Sequence, residues 1–426
     1  MPSNVVDLAG AERAPRSPHA PRVLIYSHDT FGLGHIRRCR AIANALIASF
    51  PHISVIIVSG SSVISSFQFG DGVDYVRIPG VEKQSDGSYE PHHLNLDLGD
   101  TIRLRADIIK QTVLSFDPDV VIVDKEPLGL RGELKPSLDI LRRRGARIVL
   151  GLRDVLDEPG AVLDEWSRNG ALEALDSVYD DIFVYGLENV YQPLTGLPGQ
   201  QRFADKVRYM GYLKRAVPSP MPPNRYPRIT KQPFVLVTPG GGGDGAGVID
   251  WVISAYEADP TIELPALIVF GPFMSREKRK EFAERIARNP KLEGLGFEPR
   301  LELLMNRAHC VVAMGGYNTF CEILSFDKPA LIVPRVRPRL EQAIRAGRAD
   351  ELKLVDVLYD PSQTGEGERD PRVMAAALHA LPRRPPPSQA FVPDLLDGLP
   401  SISRALAGDL SMPVRGRALA QTAATS

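Results

Sequence analysis

Two stretches of this chain repeat one construction, and that repetition limits the fold more than any other feature. Arg22 to Ser27 (RVLIYS) is an apolar run that passes through Gly32 and Gly34 into the helical spacing of Ile36, Cys39, Ile42, Ala43 and Leu46. Phe234 to Thr238 (FVLVT) passes through a glycine run, Gly240 to Gly243, into a helix that reaches Tyr256. Short continuous apolar runs followed by amphipathic helices are how parallel sheets covered on both faces read in sequence. Further runs at Ser54–Ser59, Asp74–Ile78, Pro118–Val123, Gly145–Leu150, Asp181–Tyr185, Ala266–Phe270, Cys310–Ala313 and Ala330–Val333 keep the rhythm. The expected class is α/β, with two Rossmann-like domains facing a cleft.

Pro218 to Pro233 contains six prolines and separates the two halves. It divides the chain into an N-terminal domain over 21–217, a Pro-rich linker over 218–233 and a C-terminal domain over 234–408. Residues 1–20 lack the apolar core of a signal peptide, and they and 409–426 are expected to be disordered tails. The segment Val81 to Asp100 is polar without a clear period and is expected to be a long loop. Lys plus Arg is 51 against 52 for Asp plus Glu, so no global charge argues for a nucleic-acid partner. The three cysteines, Cys39, Cys310 and Cys321, have neither zinc-ligand nor disulfide spacing. No apolar run approaches the ~18 residues of a spanning helix.

The turns select the ligand. The first lacks the third glycine and the following acidic residue of a dinucleotide fingerprint, which argues against NAD. The second lacks the Lys-Ser/Thr of a P-loop, which argues against ATP hydrolysis. Its glycines Gly241, Gly242 and Gly243 let backbone amides approach a diphosphate. Gly315 and Gly316 precede a helix expected over Thr319–Phe326, whose N-terminus aims its amides at the turn. Glu322 lies one turn into that helix, either as a carboxylate for ribose hydroxyls or on a solvated face. Gln342 follows the next strand and offers an amide to a sugar. Arg153 and Asp154 end a strand, where ligands meet parallel sheets; they read as donor or acceptor contacts or as a structural ion pair. Asp117-Pro118-Asp119 looks like a metal-binding Asp-x-Asp but reads more simply as the turn before a strand.

Taken together, GLGH at Gly32–His35, YMGYLKR at Tyr209–Arg215, GGGGDGA at Gly240–Ala246, GFEPRLELLMNRAHCVVAMGGYNTFCE and PALIVPRVRPRLEQ resemble the GT-B glycosyltransferases of family 28, over roughly Arg22 to Leu354. That family includes the peptidoglycan N-acetylglucosaminyltransferase. The resemblance implies an inverting, metal-independent transfer of a hexose or N-acetylhexosamine from a UDP-sugar to a glycan or lipid-linked acceptor. The UDP-sugar is then a substrate, and no cofactor is expected. Glu322 would hold the ribose, Gly34, Gly316, Asn318 and Thr319 would serve the diphosphate, and Phe297-Glu298 would lie along the uracil edge. Glu341 and Gln342 would contact sugar hydroxyls, with Arg335 neutralising the leaving diphosphate. His35 would be the general base or an acceptor contact. Glu341 stands where the family favours an amide, and Gly243 where it favours a hydroxyl, so the sugar is not fixed. A lipid-linked acceptor would bring the protein from the cytoplasm to the inner face of the membrane. GLGHIRRC also resembles the turn of nucleotide-sugar hydrolases, and a non-catalytic nucleotide-sugar-binding regulator is a third alternative.

Overall fold

The computed structural model describes residues 20–28, 34–83, 88–217, 226–241 and 243–411. Gly32, Gly242, the first half of the Pro-rich linker and both distal tails lie outside these residues. Nine strands form in the N-terminal half: β1 (Arg22–Ser27), β2 (Ser54–Ser59), β3 (Val73–Arg77), β4 (Val81–Lys83), β5 (Tyr89–Pro91), β6 (Val120–Asp124), β7 (Arg147–Arg153), β8 (Asp181–Tyr185) and β9 (Val207–Tyr209). Seven of them make one sheet, in the order β3-β2-β1-β6-β7-β8-β9. Every pairing in it is parallel, and β1 lies between β2 and β6. The apolar strand residues are buried because helices cover the sheet.

The second half repeats the plan. Its strands are β10 (Val235–Thr238), β11 (Ala266–Val269), β12 (Leu292–Leu295), β13 (Cys310–Ala313), β14 (Ala330–Ile332) and β15 (Asp356–Val357). They form a six-stranded parallel sheet in the order β12-β11-β10-β13-β14-β15. In both sheets the chain starts in the middle, moves to one side, then crosses to the other. That reversal opens a crevice at the carboxyl ends of the central strands, where open α/β sheets bind ligands.

Two sequence expectations need correction. The stretch Val81 to Asp100 is no plain loop: β4 and β5 pair antiparallel, and a helix already begins at Leu98. Asp97 caps that helix by accepting from the Asp100 amide at 2.7 Å. Three-residue strands of mixed polarity are too short to show a period. The last helix, Gly398–Leu410, also does not pack on the sheet that precedes it. It returns to the N-terminal domain, where Ser49 and Ser403 hydrogen-bond at 3.0 Å and His52 Nε2 meets the Leu410 carbonyl at 2.9 Å. An amphipathic helix encodes which face is buried but not against which domain.

Candidate active site at the domain cleft

The His35 helix, Gly34–Ser49, follows β1 and buries Ile36, Cys39, Ile42, Ala43 and Leu46 against the sheet. Its first turn projects the other way, toward the end of β6. There His35 Nδ1 lies 2.5 Å from Asp124 Oδ2. Arg38, one turn on, grips the same carboxylate with both arms: Nε to Oδ1 and Nη2 to Oδ2, each at 2.7 Å. Burial would raise the Asp124 carboxyl, but Arg38 and His35 outweigh it and hold it well below the usual carboxylate range. Asp124 is thus ionised and accepts the Nδ1 proton. That fixes the tautomer and leaves Nε2 free to act as a base. Burial pushes His35 down to about 4, against the pull of Asp124, so the ring is neutral at physiological pH.

Sequence reasoning found His35 and missed both Asp124 and Arg38. The available signal was positional, since Asp124 ends a fully buried parallel strand. Asp117 and Asp119, at the opposite end of that strand, read in sequence as the turn before it. Those two are structural: Asp119 Oδ2 accepts from the Arg22 amide at 3.0 Å, and Asp117 Oδ1 from Arg144 at 3.1 Å.

Across the cleft stands the Glu322 helix, Tyr317–Ser325, preceded by the Gly315-Gly316 turn. Gly315 has φ +77°, and a Cβ there would lie 2.8 Å from Ile332 Cγ2. The Phe320 amide is the first to bond back, to the Gly316 carbonyl at 2.9 Å. The amides before it face the turn, as an anion site requires. A second glycine turn lies beside the first. Gly271 (φ +87°) packs so tightly on it that a Cβ would sit 2.6 Å from the Gly240 and Gly241 carbonyl oxygens.

Between these elements lies a cavity of about 260 Å³. It gathers most of the residues expected from sequence: Gly34, His35, Arg153, Gly241, Gly243, Phe297, Glu298, Gly316, Asn318, Thr319, Arg335, Glu341 and Gln342. Phe273 and Phe297, 40% and 41% exposed, place two aromatic rings in the lining. Asn318 bridges the domains, donating to the Gly34 carbonyl at 2.9 Å and accepting from Arg215 at 2.7 Å. Arg335 is held by Asp244 at 2.7 Å and by Glu341 at 2.5 Å, and its own amide donates to Gln342 Oε1 at 3.0 Å.

Two expected site residues do not line the cavity. Asp154 is buried in an ion pair with Arg345 of the other domain, at 2.6 and 2.7 Å. Glu322 is also fully buried. Its Oε1 accepts from Arg37, which reaches over from the His35 helix and also bonds Glu302 at 2.8 Å. Burial raises the Glu322 carboxyl more than Arg37 lowers it, and its Oε2 has no partner among the described residues. Burial likewise lifts Glu302, but there Arg37 prevails and keeps the group below its ordinary value.

Residues 234–343 match the glycosyltransferase family 28 C-terminal domain. Solved structures similar over nearly the whole chain include a UDP-glucosyltransferase from Polygonum tinctorium, determined with 3,4-dichloroaniline. It shares 15% identity at a TM-score of 0.58, over 93% of this chain and 96% of that one. MurG of Acinetobacter baumannii shares 13% identity at a TM-score of 0.55, over 92% and 99%. The chain has the GT-B fold of the glycosyltransferases. The matched stretch contains the second glycine turn, the Glu322 helix and the Glu341-Gln342 pair. By sequence alone, no curated protein matches this GT-B chain.

Proposed function

We propose that the protein is an inverting, metal-independent glycosyltransferase that moves a hexose or N-acetylhexosamine from a UDP-sugar to a glycan or lipid-linked acceptor. The observation that carries the reading is the His35–Asp124 pair, set on one wall of a cavity whose other wall is a family 28 domain with two glycine turns. The acceptor hydroxyl gives its proton to His35 Nε2 while its oxygen forms the new bond to the anomeric carbon. The bond from that carbon to the diphosphate breaks, and the electron pair leaves with UDP. One base and one direct displacement invert the configuration. Asp124 stabilises the imidazolium as the proton arrives, which compensates for the low resting basicity of a buried ring.

On the donor side, Phe273 and Phe297 would flank the uracil, the glycine turns would take the diphosphate, and Glu341 and Gln342 the sugar. Glu322 would reach the ribose once Arg37 lets go of it. No described helix is long and apolar enough to cross a membrane. Work on a lipid-linked acceptor would therefore take place by contact with the cytoplasmic face.

A donor screen that follows UDP release, with and without membrane-lipid acceptors, tests the reading. Release that needs an acceptor supports transfer; equal release of UDP and free sugar without one makes the protein a hydrolase. His35→Ala should lower turnover about a hundredfold or more while donor affinity stays near wild type. Binding without any turnover would make the protein a nucleotide-sugar sensor.

A further inference from the structure

Side-chain pairing around the cavity leaves one of its lining arginines without a contact partner among the described residues. Arg38 is matched by Asp124, Arg37 by Glu302 and Glu322, and Arg335 by Asp244 and Glu341. Arg153 lines the same cavity, yet its guanidinium makes no hydrogen bond or ion pair to any described side chain, and its buried Nε has no acceptor. An unmatched, half-buried guanidinium is costly unless a ligand completes it. Its environment agrees: burial pushes Arg153 down to about 10, with Glu341 the main pull the other way. Arg153 remains charged at neutral pH.

The position of Arg153 is set from both domains. It ends β7, next to Asp154. Asp154 pairs with Arg345, and Arg345 Nη1 donates to the Gly315 carbonyl at 3.1 Å. That chain ties the strand end that bears the guanidinium to the glycine turn of the C-terminal domain. Arg335, the expected partner of the leaving group, would have to give up two carboxylates to take on a phosphate.

We propose that Arg153 is the catalytic cation that receives the β-phosphate of the departing nucleoside diphosphate. This rests on the UDP-sugar reading above. When the bond between the anomeric carbon and the β-phosphate oxygen breaks, the electron pair stays on that oxygen. Arg153 stabilises the added charge by hydrogen bonding, with no proton transferred.

The test is calorimetric binding of UDP and UMP to the full chain, since UMP keeps the base and ribose but lacks the β-phosphate. Arg153→Gln should weaken UDP at least about tenfold and leave UMP within about twofold. With an identified donor, kcat should fall more than KM rises. If the glutamine variant does not fold, Arg153→Lys carries the test: losing the planar fork should weaken UDP about threefold or more and spare UMP. Unchanged UDP affinity, or equal losses for UDP and UMP, overturns the proposal and leaves the UDP-sugar reading standing. Wild-type protein that binds neither nucleotide overturns both.

Discussion

Among the arginine–carboxylate pairs that cross the cleft, Arg345–Asp154 and Arg37–Glu322 are built to opposite specifications. Asp154 is saturated. Arg345 takes both of its oxygens, Tyr212 Oη donates to Oδ2 at 2.9 Å, and the Val155 amide donates to Oδ1 at 2.8 Å. Glu322 is unsaturated: it shares Arg37 with Glu302, and its Oε2 is buried without a partner among the described residues. A saturated pair has nothing to offer a ligand and only holds the domains together. An unsaturated one can exchange its arginine for the paired hydroxyls of a ribose. Both were singled out from sequence as site residues, yet only one is constructed to be vacated.

The largest expected effect lies on the saturated side. Arg345→Ala leaves a buried charge uncompensated and should cost about 3–5 kcal/mol of stability, read from urea unfolding. If the loss stays under about 1 kcal/mol, the two pairs are not different in kind. Next comes nucleotide binding. Glu322→Ala should weaken UDP by about 1.5–3 kcal/mol per charge-assisted bond lost to the ribose, measured by calorimetry. Unchanged UDP affinity would remove Glu322 from the donor site and make its pair with Arg37 purely structural.

The third effect is a dependence on pH. His35 has a folded value of about 4, below the ordinary histidine value of 6.5. Between these limits the unfolded chain binds the proton and the folded chain does not, so stability should decline as pH falls from about 6.5 toward 4. His35→Gln should flatten that part of the unfolding curve. A slope that survives the substitution would assign the effect to other groups, the poorly satisfied Glu302–Glu322 cluster among them.

Much of the fold was legible because a buried parallel strand must be apolar throughout and its glycine turns are fixed by backbone geometry. Gly315 is the example: its left-handed φ and its contact with Ile332 leave no room for a side chain. The acidic partner of His35 was less legible. Asp124 sits about ninety residues along the chain, and only the adjacency of β1 and β6 brings the two together. Arg37 reads as one of three arginines on a helix; its span to Glu322, in the other domain, depends on how the domains meet. The free state of Arg153 is further from the sequence still. It follows from counting which carboxylates the neighbouring arginines have already taken.

The returning last helix has a mechanical consequence. Beside Tyr212 the chain makes its way back: the Tyr212 amide donates to the Leu395 carbonyl at 2.8 Å, and the Gly398 amide to the Tyr212 carbonyl at 3.1 Å. The outgoing and returning strands therefore cross the boundary side by side, and Gly211 fits there with a would-be Cβ only 2.6 Å from the Asp394 oxygen. Two adjacent crossings make a pin, whereas one would make a swivel. Side-by-side crossings of this kind resist twisting of one domain against the other more than a single crossing would.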